Sequence, residues 1–181
     1  MGTPVNLLGA NVDGIYAGTT TDGERAPFPL GTRCTGTNGV TYVLCQAGAA
    51  LMASTDAPNA VAIDEDYQTQ LMTTALAAAG HGLGFTPQLV IADNDFFWAR
   101  IDGSGFNARV AASSAADTFL RTSATAGRLG VGSTASAVYF PAVLVVAASA
   151  STSAGNSVRE VLAGRLVAVR MGATGAAATL P

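Results

Sequence analysis

Lysine is absent from this 181-residue chain: all nine basic residues are arginine, at positions 25, 33, 100, 109, 121, 128, 159, 165 and 170. Charged residues of either sign make up 12% of the sequence, about half the ~25% of an average soluble domain. The net charge is −3 and the arginines do not cluster, so the chain lacks the concentrated positive charge that phosphate backbones require. Histidine occurs once and cysteine twice, and a four-ligand zinc site would have to be mostly carboxylate. Long apolar runs are missing too. The longest, residues 138–150, is too short to span a bilayer and contains Pro141. The first residues, MGTPVNLLGANVDG, lack the basic and apolar regions of a secretory signal, and Asn6 stands where a myristoylation motif needs Ser or Thr. The expectation is a soluble protein that binds neither nucleic acid nor membrane.

What the chain does have is small residues: 36 Ala, 21 Gly and 20 Thr. Disorder usually accompanies low hydrophobicity, whereas here 49% of residues are hydrophobic and the mean hydropathy is +0.37. A surface so poor in charge suits a protein covered by neighbours in an assembly.

Residues 1–30 hold Pro4, Pro27 and Pro29 and keep no period of 2 or 3.6, yet carry Val5, Leu7, Leu8, Ile15, Tyr16, Phe28 and Leu30. They read as an extended N-terminal arm reaching over a neighbouring subunit, followed by a β-rich domain over 31–171 and a tail over 172–181. Asn38-Gly39 is the preferred pair for a type I′ turn, which predicts a hairpin of strands 32–37 and 40–47. That turn makes opposed residues sum to 77, placing Cys34 and Cys45 on one face a diagonal apart, marginal for a disulfide and better read as free thiols. Further strands are expected at 60–63, 83–86, 89–92, 96–101, 106–111, 118–122, 138–146 and 162–170. Turns are expected at 93–95, 102–105, 113–117 and 153–156. One short helix is expected within TTALAAAGHG, capped by Thr73 or Thr74 and stopped by Gly80. Many short strands with such turns indicate a mainly β protein, a single barrel or sandwich-like domain.

Candidate chemistry is sparse. His81, in GHGLG, has no GxSxG elbow to serve, and a loop histidine after a helix is the plainer reading. Asp64-Glu65-Asp66 and Asp93-Asn94-Asp95 lack the twelve-residue calcium loop and read as turns. GRLGVG at 127–132 has the wrong spacing for a phosphate-binding loop. No catalytic residue, cofactor or metal is expected. Phe96-Phe97-Trp98 is the one aromatic run; alternation puts Phe96 and Trp98 on one face and Phe97 on the other. One face is expected in the core; the other lies in the core as well, the plainer reading, or against a partner. Phe28, Phe97, Trp98, Arg100 and Arg109 are therefore the candidate interface residues, since aromatics and arginine are enriched at interface centres.

Five segments, in order, carry a resemblance: FPLGTRCTGTNGVTYVLCQA at 28–47, AVAIDEDYQ at 60–68, LMTTALAAAGHGLGF at 71–85, DNDFFWARIDGSGFNARV at 93–110 and SSAADTFLRTSATAGRLG at 113–130. The ordered set resembles the small capsid decoration, or cement, proteins of tailed bacteriophages. The resemblance implies a β-rich protein on the outer surface of an icosahedral head with an HK97-type shell. It implies binding to the major capsid protein, often as a trimer near threefold positions, and no catalytic site. A tail or fibre component shares this composition. A glycan-binding module using aromatics near Trp98 is a further alternative, and a hydrolase built on His81 is the last.

Overall fold

The computed structural model describes residues 9–18, 26, 28–51, 58–111, 118–130, 138–145 and 157–163, with backbone alone across 104–107, 139–145 and 157–163. Asn38-Gly39 closes a hairpin between β2 (Arg33–Thr35) and β3 (Thr41–Ala47), but not in the expected register. Arg33 faces Val43 and Cys34 faces Tyr42, so opposed residues sum to 76. A type I′ turn needs positive φ at two successive residues, and here Gly39 alone takes it, at +75°. Gly36 N donates to the Val40 carbonyl at 2.9 Å and Val40 N to Asn38 Oδ1 at 3.1 Å, which makes a three-residue loop. A slip of one residue sends each side chain to the other face. Cys34 and Cys45 accordingly lie in separate apolar clusters on opposite faces, both as free thiols.

Five strands close a barrel: β3, β4 (Ala60–Ile63), β5 (Gln68–Leu71), β6 (Gly82–Phe85) and β7 (Phe96–Val110). β7 pairs with β6, β6 with β4, β4 with β5 and β5, in parallel, with β3; β3 then returns to β7. The short sequence of β5, QTQL, shows which face is inside. Gln70 is exposed while Thr69 is fully buried, so the Thr69 side faces the lumen. Following the register from Thr69, the lumen takes Ala47, Cys45, Val43, Val61, Ile63, Phe97 and Ala99, which form one buried cluster. Most of these are small because a five-stranded ring is narrow. Gly84 faces the same way, and a Cβ there would lie 2.9 Å from Ile63 Cδ1.

The outer face of the barrel carries Tyr42, Leu44, Phe85 and Trp98, all buried under other elements. One cover is α1 (Thr74–Ala78), whose Thr73 cap accepts a hydrogen bond from Leu76 N at 3.2 Å. Another is the N-terminal segment, where Ala10 and Val12 are buried and β1 (Ile15–Tyr16) pairs with Phe97 and Phe96. Residues 9–18 of the expected arm thus lie against their own chain. Residues 1–8, 19–25 and the tail 172–181 fall outside the described residues.

The third cover is a set of outer strands. Residues 102–105, expected as a turn, run instead through β7, which continues unbroken for 15 residues. A bulge between the pairs Tyr42↔Arg100 and Thr41↔Asp102, followed by Gly103 at φ +118°, bends the strand out of the barrel. β7 then pairs with β11 (Ser157–Ala163), β11 with β10 (Tyr139–Val145), and β10 with β8 (Phe119–Thr122). β8 pairs with β9 (Leu129–Gly130), which rejoins β7 at Val110. Ala108, Val110, Leu120, Leu129 and Val138 from these strands and the segment before β10 join Trp98 in the outer core. The last strand begins at 157 rather than 162, and 164–170 and the turns expected at 113–117 and 153–156 lie outside the described residues. The strand expected at 89–92 does not form; Ile91 contributes one bridge, accepting from Leu51 N at 3.1 Å. Among the described residues, no helix is long and apolar enough to cross a membrane.

Candidate functional site

Of the sequence-predicted interface residues, Phe97 and Trp98 are internal, while Phe28, Arg100 and Arg109 are half-buried. Phe97 is fully buried in the lumen and Trp98 fully buried on the outer face, where Phe28 meets it edge to face with ring centroids 5.8 Å apart. Of the two alternatives for the aromatic run, the partner-facing one is corrected and core on both sides is what forms at Phe97 and Trp98: β7 is central, so both of its faces are covered. A glycan-stacking role at Trp98 fails for the same reason. Arg100 pairs with Asp13 at 3.6 Å. Arg109 Nη1 donates to Asn59 Oδ1 at 3.3 Å, and Arg109 N donates to the Pro58 carbonyl at 2.8 Å. Both arginines tie the outer strands and N-terminal segment to the barrel.

The residues that converge on a concavity are others. β3 starts, β4 ends, β6 starts and the barrel half of β7 ends at the same rim, as the antiparallel registers require. The opposite end is closed by Leu51 and Ile91, both buried in the luminal cluster. The open end is a cavity of about 650 Å³ with Val43, Ile63 and Ile101 as its apolar floor. Around the rim stand Asp102 on β7, His81 just before β6, and Asp64, Glu65 and Tyr67 in the turn after β4; Arg33 lies beside β3. The bulge in β7 matters here. By setting two residues against one, it turns both Ile101 and Asp102 toward the cavity.

The acidic turn is held by its own first residue. Asp64 Oδ1 accepts from Asp66 N at 3.0 Å and from Gln68 N at 2.8 Å, the turn chemistry the sequence suggested. Tyr67 takes φ +61°, uncommon for an aromatic residue, and its ring packs on the backbone of Gly31. Asp95 likewise serves its own turn, accepting from Ala92 N at 2.8 Å. His81 follows α1, its N–H donating to the Leu76 carbonyl at 3.3 Å. The side chains of Arg33, Glu65, His81 and Asp102 have no hydrogen-bonding or ionic partner among the described residues, in contrast to Arg100 and Arg109. Behind the floor, burial, reinforced by the Asp64 carboxylate, pushes the Cys45 thiol far above its ordinary range, and burial raises Cys34.

Of this site, the sequence reading singled out His81 and the acidic turn but missed Arg33, Tyr67 and Asp102. The available signal was topological: a turn after β4 and a turn before its antiparallel neighbour must share one end of a sheet. Among the described residues, no group of three or more His, Cys, Asp or Glu is arranged to hold a metal ion. The chain matches no known protein-family model, and no curated protein matches it significantly.

Proposed function

We propose that this chain is a structural virion protein that binds the outside of an icosahedral phage capsid and cements adjacent capsomers. Its partners in this reading are the major capsid protein of an HK97-type shell and further copies of itself, as a trimer near threefold positions. It is made in the bacterial cytoplasm and ends on the outer capsid surface, and no catalysis or cofactor enters the proposal.

The observation that carries the reading is where the five resembling segments fall. Residues 28–47 supply the β2–β3 hairpin, 60–68 supply β4 and its turn, and 71–85 supply α1 and β6. Residues 93–110 supply β7, and the described part of 113–130 supplies β8 and β9. Segments that resemble one family in order therefore build one continuous unit. The composition supports the same role: a rigid β body with few charges gains avidity from lattice repetition even where each contact is weak. With Phe97 and Trp98 buried, the contact surface moves to Val90 and Phe119, the exposed large apolar side chains among the described residues, at 53% and 46%.

Quantifying this polypeptide against the most abundant shell protein in purified particles tests the reading. A one-to-one ratio or another simple fraction is expected. A handful of copies assigns the chain to the tail or a fibre, and absence from particles overturns the virion reading.

A further inference from the structure

We propose that the open end of the barrel is a binding pocket for a basic side chain, an arginine or lysine presented by a protein partner. This goes beyond the capsid reading and does not depend on it. Barrel mouths are recurrent ligand sites, and about 650 Å³ lies within the usual range of roughly 300–1,000 Å³ for such pockets. The charge balance selects the occupant. Asp64, Glu65 and Asp102 face one guanidinium, Arg33, so carboxylates outnumber guanidinium groups on the rim by two. A free anion is therefore disfavoured, and an inserted cation is attracted.

The position of each group fits a long basic side chain. Glu65 and Asp102 flank His81 around the rim, and both carboxylates have no partner among the described residues, so they offer charge-assisted acceptors. The apolar floor, with Ile63 and Ile101, suits the methylene stem of Arg or Lys, which packs on apolar surface while its charged end stays among polar groups. Tyr67 also lines the cavity, with its ring packed on Gly31 at the edge. Arg33, set apart beside β3, is placed to donate to a backbone carbonyl of the inserted segment and repels a second cation.

The test uses the full chain, isotopically labelled, titrated by NMR with blocked arginine amide, blocked glutamate amide and a neutral disaccharide. Saturable shifts confined to the amides of Gly80, Gly82 and Ile101 are expected with the arginine probe alone. Glu65→Gln, on an exposed turn, and Asp102→Asn should each weaken binding by about three- to fivefold. Raising salt to about 1 M, where the screening length falls to ~3 Å, should weaken it further. Asp64 is left intact because its carboxylate holds the turn. Unchanged rim amides with arginine overturn the proposal. So do equal shifts with the glutamate or sugar probe, or variants that keep the original spectrum elsewhere and bind arginine as tightly as the parent.

Discussion

Cys45 makes a sharp prediction about alkaline pH. Its thiol is fully buried in the barrel lumen, where desolvation and then the Asp64 carboxylate hold its pKa far above the ordinary value of about 8.5. Above that ordinary value the unfolded chain releases the proton while the folded chain keeps it. The native state then binds more protons, and the slope of stability with pH is negative, approaching about 1.4 kcal/mol per pH unit. The stabilisation is complete below pH ~8.5 and is lost as pH rises. Between pH 8 and pH 9.5 the expected loss is about 1.3 kcal/mol, or roughly 3–5 °C in Tm for a chain of this size. Cys34 is raised as well and adds a contribution of the same sign. The chain has no lysine, so cysteine is the side chain whose ordinary pKa falls inside this window. The assay is thermal and urea unfolding under reducing conditions, followed by the fluorescence of Trp98, the one tryptophan. Cys45→Ala should cost about 1–2 kcal/mol at neutral pH and yet flatten the slope. A variant that loses stability between pH 8 and pH 9.5 as steeply as the parent refutes the reasoning.

Three further outcomes follow from the same structure. Phe97→Ala removes the largest buried side chain of the luminal cluster and should cost about 3–5 kcal/mol by urea denaturation. Gly84→Val, whose Cβ meets Ile63 and Ala99, should destabilise by about 1–3 kcal/mol through overpacking; a neutral effect there would contradict the assigned lumen. Thr73→Ala removes the cap of a five-residue helix and should cost about 1 kcal/mol, with hydrogen exchange rising first at Leu76.

The mainly β architecture was legible because short β-branched runs bounded by Gly, Asp and Asn leave few alternatives. Strand 60–63 and the Thr73-capped helix were legible for local reasons: an apolar run and a capping residue. The hairpin register was not. Asn-Gly is satisfied equally by a two-residue loop and by a three-residue loop with glycine last, and tertiary pairing of β3 with β7 accompanies the second. DGSG at 102–105 carried every mark of a turn, yet those residues carry a bend within one strand because β11 pairs along it. The aromatic run left two readings open, one face toward a partner or both in the core, because alternation cannot tell a one-sided sheet from a strand covered on both faces. The rim site stayed hidden because its members lie from Arg33 to Asp102 and meet only once the ring closes.

The sharing of β7 has a mechanical consequence. Its first half is hydrogen-bonded within the barrel and its second half within the outer strands, as one covalent strand. A pull that separates those two parts along β7 runs at right angles to the ladder hydrogen bonds on either side of the bend. The bonds are then loaded together in shear rather than opened one at a time. The joint bends at Gly103, yet it yields only when a whole ladder gives way.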